Sequence, residues 1–378
     1  MDNFDMLDRS PNAPHLHIQV ASLLKERIRS GAWSEGTTLP SEKELCAEFD
    51  VARGTIRQAL QTLENEGYLL REQGRGTFVH MAEINYSALR SRRLAFVVPY
   101  VRDSSIPTIL VGFQQVAEEA GFSVIFNHVN NDQAQQERVI LKLIDEHVAG
   151  IALYPVNSEN ISLVEKLNNT GFPIVLIDRY LRGLSTDYVM TDHFDGSIRG
   201  THYLFNLGHK RVGFVTWLSP AVSMEHRYLG YRQALSERGV AFDERLICHV
   251  EGYPVIDLTP LQKYLSGPNR PTAVVAANDQ IAIGLYRAAS SLSLKVPQDL
   301  SVIGYDNLDV TAHLEPPLTT ISQPFSSIGQ VAADLLLRRI KGERGYFEQI
   351  TLRPELVVRE SCAAFEPHSE MESLRLNT

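Results

Sequence analysis

Apolar positions along the chain follow two periods, and the change from one to the other divides it. Over residues 15–30, Ile18, Ala21, Leu24 and Ile28 recur at helical spacing, and Gly31 stops the run. A loop rich in turn residues covers 33–40. Ser41 then stands three residues before Glu44, a capping box that opens a second helix burying Leu45, Cys46 and Phe49. A short turn at 50–52 leads into a third helix running to Glu66. Its Ile56, Leu60 and Leu63 stand at i, i+4 and i+7 and share one buried face. Gly67 is placed to end that helix in the left-handed conformation. Two short β segments, 68–71 and 77–79, follow across a tight loop. Helix, helix, turn, helix, hairpin is the order of a winged helix-turn-helix.

Residues 81–93 lack a strong period, carry Arg90, Arg92 and Arg93, and read as a linker. Beyond them continuous apolar runs alternate with amphipathic helices. Strands are predicted at 94–99, 122–127, 150–155 and 174–178, with helices at 109–120 and 135–146. The series then restarts, with strands at 211–216, 246–251, 272–277 and 300–305 and helices at 227–238 and 280–292. Such alternation predicts parallel sheets covered on both faces. Two series of similar length predict two lobes with a cleft between them.

With 44% hydrophobic and 21% charged residues, the 378-residue chain has apolar material for the cores of two or three domains. Its longest apolar runs fall far short of the roughly 20 residues a membrane span needs, so no membrane partner is expected. The acidic start, MDNFDMLDRS, lacks a signal-like apolar stretch, and the expected location is the cytoplasm. Cys46, Cys248 and Cys362 lie far apart and read as buried reduced thiols rather than a disulfide or zinc framework. No GxSxG, HExxH, P-loop or GxGxxG occurs, so neither enzyme chemistry, nor a cofactor, nor a metal is implied. The net charge is −9, and residues 14–80 hold 8 Lys and Arg against 9 Asp and Glu. DNA binding must then rest on where a few arginines point.

A recognition helix enters the major groove by its first turns, which here carry Arg53, Gly54, Thr55, Arg57 and Gln58. Arg pairs bidentately with guanine and Gln with adenine. Ser41 and Lys43 head the preceding helix and complete the set. In the wing, Gly74 and Gly76 permit close backbone approach and Arg75 suits a narrow minor groove. Arg29 and Arg71 read as solvated. In the second region, polar residues stand at the carboxyl ends of strands, where ligands of such sheets bind. Asp178, Arg179, Asn278 and Asp306 suit the hydroxyls of a polyol. Asp178 and Arg179 are also placed to pair with each other. Asp279 reads as the cap of the helix it opens, and His209 as structural.

Several separated runs resemble the GntR-type DNA-binding domain: Leu39-Pro40-Ser41-Glu42-Lys43-Glu44-Leu45, Val51-Ala52-Arg53-Gly54-Thr55-Ile56-Arg57-Gln58, Glu66-Gly67-Tyr68 and Gly74-Arg75-Gly76-Thr77-Phe78-Val79. The resemblance implies DNA contacts from Arg53, Thr55, Arg57 and Gly76. The family has Arg where Lys43 stands and Ser where Ala52 stands, so one planar fork and one hydroxyl are missing. Residues 93–360 resemble the LacI/GalR-type effector domain, through Gly208-His209-Lys210-Arg211-Val212-Gly213, Arg227-Tyr228-Leu229-Gly230-Tyr231, Ala277-Asn278-Asp279-Gln280 and Val302-Ile303-Gly304-Tyr305-Asp306-Asn307. That resemblance implies sugar contacts from Arg227, Asn278 and Asp306.

Together the two resemble the arabinose-repressor architecture. The expected fold class is α/β: a small α+β winged helix-turn-helix at 14–80, then a two-lobed, type I periplasmic-binding-protein-like α/β domain at 94–362. Residues 1–13 form a leader and 363–378 a tail. The architecture implies a transcriptional repressor of a carbohydrate-utilisation operon, with operator DNA, a small carbohydrate and a second copy of itself as partners. A transport binding protein is disfavoured by the head, and an aminotransferase-like body by chain length.

Overall fold

In the computed structural model of the chain, Ser41 Oγ accepts from the Glu44 amide and the Glu44 carboxylate accepts from the Ser41 amide, so α2 (Glu42–Phe49) opens where the capping box predicts. The structure describes residues 7, 9–10, 14–29, 33–34, 36–65, 68–72, 75–79, 92–101, 104–159, 162–218, 221–252, 256–267, 269–343 and 345–366. They belong to two compact units, Met1–Arg90 and Ser91–Thr378. The roles expected of Gly31, Gly67, Gly74 and Arg90, and the leader and the end of the tail, lie outside the described residues.

In the first unit α1 (Leu16–Arg29), α2 and α3 (Arg53–Asn65) close over Leu24, Ile28, Leu45, Ile56 and Leu63, all essentially inaccessible. Asp50 ends α2 in the left-handed region, its amide donating to Cys46 O. Strands β1 (Leu69–Glu72) and β2 (Gly76–Val79) pair antiparallel, with Arg71 opposite Thr77, and Thr38 adds a bridge to Phe78. This is a winged helix-turn-helix. Cys46, expected inside, is only half-buried, at the margin of that core.

The second unit begins with β3 (Arg93–Val98), α4 (Ser105–Glu119), β4 (Ser123–His128), α5 (Gln133–Asp145), β5 (Gly150–Leu153), α6 (Ser162–Asn169), β6 (Ile174–Ile177) and β7 (Asp187–Thr191). After α7 (His193–Asn206) come β8 (Val212–Trp217), α8 (Val222–Glu237), β9 (Ile247–Val250), α9 (Thr259–Ser266), β10 (Ala273–Ala276), α10 (Asp279–Ser291), β11 (Ser301–Asp306) and β12 (Thr319–Ser322). The chain ends its regular structure with α11 (Phe325–Ile340), β13 (Gln349–Leu352) and β14 (Glu355–Val357). One sheet runs β13-β7-β6-β5-β3-β4 and the other β14-β12-β11-β10-β8-β9, parallel throughout except where β14 meets β12. The chain therefore crosses between lobes three times: after β7, after β12 and after β13. This is the two-lobed, type I binding-protein arrangement.

The first-lobe sheet could not be completed without α11, which returns from the second lobe to lie on α4. A Cβ at Gly112 would stand 2.2 Å from Ser326 O, and one at Gly329 2.0 Å from Ile109 O, so the two helices touch backbone to backbone. Arg339 secures the far end with two bonds to buried Asp187, at 2.7 and 2.8 Å. The pattern-based strands lie within a few residues of those observed. The helix predicted from Arg227 instead starts at Val222, which puts Arg227 inside α8 rather than at its head.

Candidate functional site

In the first unit three arginines meet at one carboxylate. Glu42, the first residue of α2, accepts from Arg53 Nε at 2.7 Å, Arg57 Nε at 3.1 Å and Arg71 Nη2 at 3.2 Å. Arg71, expected to be solvated, is 54% exposed but also reaches Glu42 of α2 from the wing strand. The carboxylate is 13% exposed while the Arg53 and Arg57 side chains are 68% and 57% exposed. The Arg53 hydrogen bond, followed by Arg57, holds the Glu42 carboxyl below its usual range despite partial burial. Because Arg53 and Arg57 meet Glu42 through Nε and are more than half exposed, their terminal nitrogens remain as donors of the kind that phosphate and guanine accept.

Around this cluster Lys43 and Gln58 are exposed and Thr55 half-exposed. The Ser41 hydroxyl caps α2 as an acceptor and keeps its own proton to donate. A Cβ on Gly54 would meet nothing within 4 Å, so the backbone there is open to close approach. Gly76 has φ +127°, a region that other residues rarely adopt, and a Cβ there would lie 3.4 Å from the Thr38 methyl. Arg75 lies 5.9 Å from the Phe78 ring centre. The Arg29 side chain is outside the described residues.

In the second unit the ends of β6 and β11 bring two carboxylates to the lobe junction. Asp178 and Asp306 both have positive φ, 65° and 117°. Asp306, in a region costly for a residue with a Cβ, marks backbone strain of the kind stored at binding sites. Between them run His193, the first residue of α7, and Arg227 of α8. Arg227 donates from Nε to His193 Nδ1 at 3.3 Å and from Nη1 to Ala277 O at 2.5 Å. Its Nη2 lies 3.3 Å from Asp306 Oδ1, and its carbon 3.8 Å from the Tyr305 ring centre. Asp306 Oδ1 also accepts from Gln323 Nε2 at 2.6 Å, and Gln323 Oε1 from Thr191 Oγ1 at 2.6 Å. A continuous polar line thus crosses from the first lobe to the second through two crossover segments.

Asp178 accepts from the Tyr154 hydroxyl at 2.5 Å and faces Arg179 at 3.6 Å, so the pairing open to those neighbours is made. Arg179 otherwise stays in its own lobe, donating to Pro155 O and Val156 O and lying 4.7 Å from the Tyr154 ring centre. Burial works to raise the Asp178 pKa, but His193, Arg179 and the Tyr154 hydroxyl hold the carboxyl below its ordinary value. Asn278, not Asp279, caps α10, accepting from the Ile281 amide at 2.9 Å. Asp279 turns inward instead, accepting from Thr320 Oγ1 and the Leu308 amide, because Gly304 leaves room for its carboxylate. Burial raises its pKa to about 7. His209 is held by Thr272, Ser301 and Ala363, a structural set.

An open cavity of about 290 Å³ adjoins the line, bordered by Ser104, Thr108, Asp306, Asn307, Gln323 and Phe325. The other rim of the lobe junction is closed by Ser158 Oγ accepting from the Val222 amide, by Tyr180 and His226, and by an ion pair of Arg182 with Glu225. His193 and Gln323 were not singled out from sequence. Both sit at crossovers, and a lone His or Gln between apolar elements carries no spacing signal. Among the described residues no group of three or more His, Cys, Asp or Glu is placed to hold a metal. No described helix is long and apolar enough to cross a membrane.

His193 gives the unit a pH dependence. Burial, then the Arg227 charge, push its pKa down to about 4, although Asp178 pulls the other way. Between pH 6.5 and 4 the unfolded chain binds a proton that the folded one refuses, so stability is lost as pH falls through that window. The expected share is about 3 kcal/mol. Buried His209 and half-buried His226 act with the same sign. Urea titrations from pH 8 to 4 are expected to show a shallower slope for His193→Asn; an unchanged slope would assign the effect elsewhere.

Taken together, a winged helix-turn-helix with an arginine-bearing recognition helix and a two-lobed unit with a polar cleft define a ligand-responsive transcriptional regulator. Comparison with known proteins is specific. Residues 16–79 match the bacterial regulatory proteins of the gntR family and residues 201–362 the periplasmic binding protein-like domain. The arabinose metabolism transcriptional repressor of Geobacillus stearothermophilus is 31% identical over 91% of this chain and 97% of its own. That of Halalkalibacterium halodurans is 29% identical over 90% and 96%. The chain belongs to this family of transcriptional repressors, with a GntR-type head and a LacI/GalR-like body. Among solved structures, a ribose-bound LacI family regulator from Enterococcus faecium is 26% identical with a TM-score of 0.63, over 72% of this chain and all of its own. The regulator CelR in complex with cellobiose is 25% identical with a TM-score of 0.67, over 85% of this chain and all of its own.

Proposed function

We propose that the protein represses a carbohydrate-utilisation operon and is released from its operator by a small sugar bound between the lobes. The observation that carries this reading is the polar line Asp178–His193–Arg227–Asp306–Gln323 at the lobe junction, rich in donors and acceptors beside a small cavity. Such a cavity is at the small end of ligand sites. The relatives named for arabinose metabolism, and similar bodies holding ribose or cellobiose, support a sugar as the effector. Asp178, Arg227, Asn278 and Asp306 are the proposed contacts, with Arg179 orienting Asp178.

On the DNA side, Arg53, Arg57, Gln58 and Thr55 read the operator, while Ser41, Lys43, Arg75 and Gly76 meet its backbone and minor groove. Residues 14–80 act as the head, 81–93 as the linker and 94–362 as the body. The protein works in the cytoplasm as a homodimer, each head reading half of a near-palindromic site, and catalyses no reaction. A thermal-shift screen of pentoses, hexoses and their phosphates tests the reading. A sugar at a hundred times its Kd stabilises the folded state by about 2.7 kcal/mol and raises the melting point. A panel in which no sugar moves the melting point would remove the sugar from the account.

A further inference from the structure

His193 is fully buried at the first crossover between lobes. Its Nδ1 accepts from Arg227 Nε, and a guanidinium can only donate, so Nδ1 carries the lone pair. Burial and Arg227 keep the ring neutral at ordinary pH, which leaves its single proton on Nε2. That N–H has no hydrogen-bond partner. The carboxylate oxygen Asp178 Oδ1 lies 3.7 Å away, beyond hydrogen-bond reach, while Asp178 Oδ2 accepts from Tyr154. A buried donor and a carboxylate oxygen therefore stand 3.7 Å apart at the lobe junction without bonding each other.

The group that fits both must accept from the imidazole and donate to the carboxylate. A hydroxyl does both, and an oxygen seated to one side of the pair can lie about 2.8 Å from each atom. A phosphate or carboxylate oxygen has no proton to give Asp178 and is repelled by it; an ammonium has no lone pair for His193. The neighbouring cavity points the same way, since its charged lining among the described residues is Asp306 and Asp309. The two guanidiniums nearby, Arg179 and Arg227, are already matched by Asp178 and Asp306.

Resting on the sugar-effector reading above, we infer that His193 and Asp178 together read one hydroxyl of the effector, so that the cleft takes an uncharged polyol and rejects both its phosphate ester and the analogue lacking that hydroxyl. His193 is thereby a specificity residue, a role distinct from that of Arg227.

The test is calorimetric titration of the full chain with arabinose, ribose and cellobiose, then with the phosphate ester and the monodeoxy analogues of whichever binds. In wild type, the phosphate is expected to bind at least about 100-fold more weakly, and one deoxy analogue at least about 30-fold more weakly. His193→Asn keeps an acceptor for Arg227 and removes the Nε2 donor. It should weaken the parent sugar about tenfold while leaving the critical deoxy analogue unchanged. His193→Gln, which carries a donor to the Nε2 position, should restore part of the discrimination, and both variants should melt cooperatively. If His193→Asn weakens the sugar and every deoxy analogue equally, or if the phosphate binds as tightly as the free sugar in wild type, the assignment is wrong. If no free sugar binds wild type, the sugar reading itself falls, and the hydroxyl assignment with it.

Discussion

Arg227→Ala is expected to abolish effector binding while operator DNA is still retarded normally. The guanidinium is 3% exposed and meets His193, Ala277, Asp306 and the Tyr305 ring at once. Nothing else within the line supplies a cation to Asp306. Removing one member of a buried pair leaves the other charge uncompensated, at roughly 3–5 kcal/mol. The body should therefore melt on the order of 10 °C lower. Sugar affinity should fall at least about 100-fold, equivalent to 2.7 kcal/mol. Because Arg53 and Arg57, the proposed DNA contacts, belong to the other unit, the variant should repress and fail to respond to sugar. Titration below the lowered melting point reads the affinity; a variant that still binds sugar like wild type would move the effector site away from Arg227.

The second large effect is on the DNA side. Arg57→Ala removes a fork worth about 1–3 kcal/mol if it reads a base, and also unmasks part of the Glu42 charge beside a phosphate backbone. A loss of operator affinity of about 30–100-fold is expected, with sugar binding unchanged. Glu42→Gln separates the two contributions. It removes the one negative charge of the cluster but loosens Arg53, Arg57 and Arg71 together. Affinity for unrelated DNA should then rise while the ratio of operator to unrelated affinity falls, read by fluorescence anisotropy at two salt concentrations. If the ratio is unchanged, Glu42 does not orient these side chains.

The sequence was most legible where local chemistry decides the outcome. The Ser41–Glu44 box, the apolar face of α3 and the alternating runs of the two lobes each rest on neighbours a few residues apart. What escaped was set by long-range geometry. Helix α11 has an apolar stripe of its own, yet its return to the first lobe depends on Gly112 and Gly329 meeting across more than two hundred residues. Arg71 looked solvated because Glu42, 29 residues earlier, is brought to it only by the fold. At the cleft, Asp178 and Asp306 were visible as polar residues ending strands. His193 was not, since its meaning lies in a distance to Asp178 that crosses the lobe junction. The Asn278–Asp279 pair illustrates the limit well. Either side chain could cap α10, and the space left by Gly304 decides that Asp279 turns inward.

Linkage constrains how the two units communicate. A hundred-fold weakening of operator binding by sugar requires about 2.7 kcal/mol of coupling, and operator DNA must then weaken sugar binding by the same factor. The polar line offers a physical origin for it, because a ligand that alters lobe closure alters every contact along it.

The most direct measurement is retardation of DNA from the protein's own promoter region at low salt, with and without the sugar that raises its melting point. The account predicts a specific complex without sugar and about 100-fold weaker binding when the cleft is filled. A protein that retards no promoter fragment in the absence of sugar, or whose complex is indifferent to a sugar it demonstrably binds, would contradict it.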